Sequence, residues 1–190
     1  MKKKLLLVAV VLGFATAAMA QPRAIGGRLG KNLEFSYQHS MSGQNYFQID
    51  AGLINYYSGI EAVGTYNWIF ATPQWGDYGS WEWFAGVGAG LGYNWHIGNA
   101  YWKYRSYNAH DYYYDAGHFY LGAAGNIGLS FTFPFDLQLS VDYRPMLGVS
   151  LGEYYYARDY REAYERGTKR VAAFYVPGLY DFGLSVRYAF

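Results

Sequence analysis

The chain has 190 residues, of which 52% are hydrophobic, 22% aromatic and 15% charged, with 24 Gly, 23 Tyr and no Cys. So aromatic and so weakly charged a chain collapses rather than staying solvated, which excludes disorder, and the lack of cysteine excludes a disulfide scaffold or a thiolate metal site. A mean hydropathy of -0.14 is too low for a bundle of membrane helices, and a formal net charge of +1 describes only the uncut chain.

The first segment is a targeting signal rather than part of the fold. Lys2, Lys3 and Lys4 form a basic head, 5–14 is an apolar run, and Ala18-Met19-Ala20 is a small-x-small ending. This is the pattern of a secretory signal peptide, and its apolar run is too short to span a bilayer as a helix. Residues 1–20 are therefore expected to be removed, leaving 21–190 as one domain. Cleavage would put Gln21 first, so no cysteine is there to accept a lipid anchor. The remaining chain has 12 Lys/Arg against 14 Asp/Glu, a net of -2, and offers no basic face for nucleic acid.

After residue 20 no run reaches eighteen apolar residues, and the dominant pattern has period two, the signature of strands with two unlike faces. In chain order, strands are expected at 23–30 and 32–40 around a tight turn at Gly30-Lys31-Asn32. Strands at 45–56 and 59–71 follow, with turns at 41–44 and 57–58. After a turn at 72–80 comes 81–96, where Trp81, Trp83, Val87, Leu91, Tyr93 and Trp95 alternate with Glu82, Gly86, Gly88, Gly90, Gly92, Asn94 and His96. The glycines of this run clear room on their face for large groups such as Phe84 or Tyr120. The strand at 116–133 sets Phe119, Leu121, Ala123, Ile127, Leu129 and Phe131 against Tyr120, Gly122, Asn126, Gly128 and Ser130. A turn at Pro134-Phe135-Asp136 leads into 136–150. The last strand, 173–190, alternates Tyr180, Phe182, Leu184, Val186, Tyr188 and Phe190 with Asp181, Gly183, Ser185, Arg187 and Ala189.

Alternation fits a soluble sandwich or lipocalin-like barrel with its apolar face inside, or a membrane barrel with that face outside. The polar face carries almost no Lys but many Gly, Ser and Asn, as a crowded interior needs, and Trp and Tyr gather near strand ends, where amphipathic rings sit at headgroup depth. Both features favour the membrane barrel. Barrels of this kind have an even strand number, short turns at one end and long loops at the other. Eight strands satisfy that rule and place 97–115 and 151–172 together on the outer side. The expected fold is all-β, an eight-stranded antiparallel transmembrane up-and-down β-barrel.

The chain thus resembles the small eight-stranded β-barrels of Gram-negative outer membranes, of the kind seen in the transmembrane domain of outer membrane protein A. The signal peptide carries this likeness together with the ending Gly183-Leu184-Ser185-Val186-Arg187-Tyr188-Ala189-Phe190. The ending looks like the C-terminal signal read by the outer-membrane assembly machinery, through Leu184, Val186, Tyr188 and Phe190. The resemblance implies outer-membrane localisation, a cell-surface face, and outer-membrane lipid and lipopolysaccharide as neighbours.

An eight-stranded barrel is only wide enough for its own side chains, so an open pore is not expected. With the apolar face outward, Arg28, Glu34, Asp50, Glu61, Glu82, Asp142, Arg144 and Arg187 point inside, where charges must pair or stay hydrated. A lumenal network of Arg–carboxylate pairs is the expectation. Segments 97–115 and 152–170 hold eleven of the 23 Tyr with Arg, Lys and acids, a composition suited either to surface recognition or to strand extensions above the membrane. For metal or acid–base chemistry the candidates are His96, His110 and His118, which would meet at the outer rim, although their spacing matches no ligand pattern and no nucleophile with a base is evident. No cofactor is expected. Three functions remain: a non-enzymatic barrel for structure or surface recognition, a narrow gated channel, and a rim metal-binding or lipid-modifying enzyme. Deleting the terminal Phe190 should impair membrane insertion more than replacing Ala189, measured as the yield of heat-modifiable barrel; equal yields contradict the assembly signal.

Overall fold

The computed structural model describes residues 22–95, 103–104, 110–157, 169–175 and 179–190, and the expected signal peptide lies outside them. The described residues form strands and turns without a helix: β1 Pro22–Leu29, β2 Leu33–Ser42, β3 Asn45–Ile54, β4 Gly59–Ala71, β5 Ser80–Asn94, β6 Lys103–Tyr104, β7 His110–Thr132, β8 Leu137–Tyr143, β9 Met146–Ala157, β10 Lys169–Tyr175 and β11 Phe182–Ala189. β8 and β9 make one stave, and β10 and β11 another, while the short β6 pairs only with the start of β7. Counted as staves the sheet has eight, all antiparallel. It closes on itself where Ala24 to Leu29 of β1 run against Ala189 to Leu184 of β11. Closure leaves the wall no free edge over this stretch.

Both termini of the barrel and the connections at 43–44, 72–79 and 133–136 lie at one end, the terminal end. The connections at 30–32, 55–58, 95–109 and 158–168 leave from the other, the loop end. The sharp β3–β4 connection has two consecutive residues at positive φ, Asn55 at 46° and Tyr56 at 70°, as a tight hairpin turn demands. It therefore begins at Asn55, two residues earlier than the expected turn at 57–58.

Two further expectations are corrected. The strands placed at 136–150 and 173–190 are each interrupted at the same level of the wall, β8/β9 at Arg144 and Pro145 and β10/β11 before Phe182. Proline has no N–H to give the ladder. The wall is carried past this point by single bonds: the Arg144 N–H donates to the Asp181 carbonyl at 2.8 Å and the Gly125 N–H to the Pro145 carbonyl at 2.9 Å. In addition, part of the sequence assigned to outer loops is strand. β7 starts at His110 rather than 116, and β9 runs on to Ala157, paired with β10 as far as Tyr154 and with β7 beyond it, so the sheet continues past the barrel proper at the loop end.

The two faces divide cleanly. On β11, Gly183, Ser185 and Arg187 are buried while Phe182, Leu184, Val186 and Tyr188 are exposed. On β2, Glu34, Ser36 and Gln38 are buried while Leu33 and Phe35 are exposed. The interior is tight enough that its glycines are steric requirements. A Cβ on Gly88 would meet the Gly64 carbonyl and the Thr65 Cα, both backbone, whereas the ring of Tyr120 fills the space above Gly92 and that of Phe84 the space above Gly128. Gly88→Val should destabilise the barrel by about 1–3 kcal/mol through overpacking, read as a lower urea midpoint. Gly43→Ala, where an added Cβ meets nothing within 4 Å, should leave it unchanged.

Candidate functional site

The polar residues directed into the barrel are stacked in three levels. At the terminal end Arg23 pairs with Glu82, and its guanidinium carbon sits 4.5 Å from the centroid of the Tyr46 ring. Tyr46 meets Phe84 edge-on at 5.9 Å, and with Ile69 these rings form an apolar plug. Arg23 is on the outward side by strict alternation. The register shift between Pro22 and Ala24 re-aims it inward, which is how a bulge escapes a period-two reading.

The middle level is built on Arg187, 2% exposed. Its guanidinium donates to Ser36 Oγ at 2.8 Å, Ser140 Oγ at 2.7 Å, Ser185 Oγ at 2.9 Å and Gln138 Oε1 at 3.5 Å. Hydroxyls and an amide, not carboxylates, are its hydrogen-bond acceptors. Around it run amide chains: Asn126 donates to Asn67, which donates to Thr65, and Gln38 donates to Gln48, which donates to Asp50.

Near the loop end stands a closed ring of alternating charge. Arg28 donates to Glu34 at 2.9 Å and to Asp181 at 3.1 Å; Arg144 donates to Glu34 at 2.7 Å and to Asp181 at 3.0 Å. Each carboxylate is thus shared by both arginines, and the side chains of all four residues are at most 4% exposed. Asp142 adds a paired contact to Arg28, at 2.8 Å from Nε and 2.6 Å from Nη2, while Asp50 and Glu61 accept from Arg144 at 2.9 and 3.4 Å. Glu61 also accepts the Tyr120 hydroxyl at 2.5 Å and the Asn32 amide at 2.6 Å. Beside it toward the loop end, Ile54, Val63, Tyr120, Ala124 and Met146 form a second apolar cluster. Charges so removed from water are tolerable only with dense mutual bonding, which the ring supplies.

Of the eight lumenal charges expected from the sequence, Arg28, Glu34, Asp50, Glu61, Asp142 and Arg144 lie together in the loop-end network. Glu82 stands apart at the terminal end with Arg23, and Arg187 occupies the hydroxyl cage between them. The sequence reading omitted Asp181 and Arg23 from the charge network. Asp181 sits on the polar face of its strand, so its signal was present; Arg23 required the bulge. Leu184, Val186, Tyr188 and Phe190 all face outward and are exposed.

The histidines are not brought together by what is described. His118 is buried near the loop end, its ring 6.3 Å from that of Tyr120. His96 lies outside the described residues, and His110 is placed only by its backbone register with Tyr104. Among the described residues no three His, Asp or Glu side chains converge to hold a metal ion. Much of the tyrosine-rich segments 97–115 and 152–170 also falls outside, but backbone register sets Tyr113 opposite Tyr156 and Tyr114 opposite Tyr155.

Comparison with family models, with curated proteins and with solved structures finds no match to this chain.

Arg144 holds four carboxylates and Arg187 holds none. Arg144→Ala strands buried charge and should cost about 3–5 kcal/mol, whereas Arg187→Ala leaves hydroxyls that can bond one another and should cost about 1–3 kcal/mol. Urea unfolding midpoints of the two variants check the order, and a larger loss for Arg187→Ala would contradict it.

Proposed function

We propose that the chain is an integral outer-membrane β-barrel, non-enzymatic, with a polar and filled lumen, serving structure or surface recognition through its loop end. The observation that carries this reading is the inverted sidedness of the sheet. Leu29, Leu33, Phe35, Val141, Leu147, Val149, Leu184 and Val186 are exposed around the wall, while arginines, carboxylates and amides are buried within it. In water this arrangement would cost both the hydration of the charges and the exposure of the apolar belt. In hydrocarbon the apolar belt meets its own phase, and a closed barrel pairs the backbone groups of its wall with one another.

Two details support the same orientation of the belt. A chain of rings, Trp75, Trp81, Phe131, Phe133 and Phe135, runs into the terminal-end turns with neighbouring centroids 4.6–5.5 Å apart. At the other end Trp95 donates its indole N–H to the Tyr57 carbonyl at 3.0 Å beside the exposed Tyr56. Trp75 and Trp81 at one border and Trp95 and Tyr56 at the other carry the single polar atom that suits headgroup depth. On this reading the neighbours of the wall are outer-membrane lipid and lipopolysaccharide, the assembly machinery reads the outward Leu184, Val186, Tyr188 and Phe190, and an extracellular ligand would meet the Tyr-rich loops. The charge ring and two apolar clusters favour a closed lumen over a standing pore.

Refolding into lipid vesicles tests the reading. The inserted protein should migrate differently before and after boiling and should give no steady openings in a planar bilayer. A monodisperse, folded monomer in plain buffer would contradict the membrane assignment, and steady openings would contradict the closed lumen in favour of a narrow gated channel.

A further inference from the structure

The outward face of the barrel is not uniform. On one side the row Leu33, Leu29, Leu184, Val141 and Leu129 places a large side chain at every register position of five neighbouring staves. On the opposite side, across β3, β4 and β5, the floor drops. Ala51 stands beside Ala62, and the next row sets Gly64 beside Ala89 and Ala123. Large groups border this floor toward the loop end: Leu53 and Ile60 over β3 and β4, then Tyr93 and Phe119 over β5 and β7, with Leu91 beside them. Ala51 and Ala62 on the floor, with Leu53, Ile60, Tyr93 and Phe119 at the border, line a groove of about 520 Å³ in the outer wall.

We infer that this groove holds one acyl chain of a membrane lipid, bound longer than the rest of the lipid around the barrel. The inference rests on the membrane reading above and adds a partner to it. The groove lies inside the apolar belt and opens on it, so in a bilayer the phase that reaches it is hydrocarbon. Left empty, its walls would forfeit their dispersion contacts, and a flexible chain restores them. Its position also fits a lipid. Tyr56, Tyr57 and Trp95, the ring atoms suited to headgroup depth, stand directly at the loop-end tips of the same three strands, so a chain descending from a headgroup there enters the groove. Its size argues against a second copy of the barrel. Ten of the described residues line it, where a stable protein interface takes roughly 20–30 residues a side. Its volume falls among the roughly 300–1,000 Å³ of sites that hold a single small ligand.

The test counts lipids that survive extraction. Wild-type barrel is folded into vesicles of phosphatidylethanolamine and phosphatidylglycerol, transferred to excess detergent and weighed intact by native mass spectrometry. One retained phospholipid is expected on the wild type and on Val141→Phe, which enlarges the opposite face, and none on Ala62→Phe or Ala51→Phe, which fill the floor. Heat-modifiable mobility checks that each variant is folded. No retained lipid on the wild type, or equal retention in all four proteins, overturns the inference; so does a dimer that the floor substitutions dissolve, because the occupant is then a second copy. Should both floor variants fail to fold, a photoactivatable phospholipid crosslinked to wild-type barrel must mark Ala51, Ala62 or their neighbours, and crosslinks spread evenly round the belt would overturn it. Failure of the wild type to insert at all would instead remove the membrane reading itself.

Discussion

Closing a sheet on itself forces one of its faces into a space that bulk water does not fill, and here that face is the charged one. The rest of the structure answers this constraint. The ring of Arg28, Glu34, Arg144 and Asp181 gives every charge in it two partners of opposite sign, and the attached Asp50, Glu61 and Asp142 widen it until seven of the eight staves contribute a bonded side chain. The exception is β5, whose inward positions at that level are glycines, with the Tyr120 ring laid over Gly92. Removing side chains from one stave is what lets the others meet across the lumen. A buried network of this kind is a costly way to gain stability compared with apolar packing. It does specify which staves must be neighbours, because only one register brings both arginines to both shared carboxylates.

Sidedness follows from the same constraint. Polar groups that are satisfied internally leave the outward positions free to be apolar, and the strand alternation of two sorts residues between the two faces. Tyr46, Ile69 and Phe84 pack toward the terminal end, Ile54, Val63, Tyr120, Ala124 and Met146 pack beside the ring toward the loop end, and the hydroxyl cage of Arg187 lies on the terminal side of the ring. Apolar and polar groups thus share the interior along its length.

Much of this architecture was legible in the sequence because its rule is so simple. The strands, their order and the inward position of Arg28, Glu34, Asp50, Glu61, Asp142, Arg144 and Arg187 all follow from period two and from the turns. What escaped it were local departures from that period. Arg23 faces inward through a bulge at Pro22/Ala24, and the interruption of two neighbouring staves near Pro145 and Asp181 reads in the sequence as uninterrupted alternation. The acceptors of Arg187 could not be read either: whether a lumenal arginine meets a carboxylate or a serine depends on stagger between distant staves, such as Ser36, Ser140 and Ser185, which no local pattern encodes. The outward groove over Ala51 and Ala62 was hidden for the same reason, since its floor forms only when β3 and β4 are paired.

The central claim is that the polar face is the lumen and the apolar face the lipid surface. The chain contains no cysteine, so single cysteines can be introduced one at a time without other changes. Nitroxide labels at positions 137–141 and 184–188, in protein folded into vesicles, report collision with oxygen, which concentrates in hydrocarbon, and with a water-soluble nickel chelate. The account predicts oxygen collision peaking at Leu137, Leu139, Val141, Leu184, Val186 and Tyr188 and falling at every residue between them. Nickel access at those outward positions, or oxygen collision without a period of two, would contradict it.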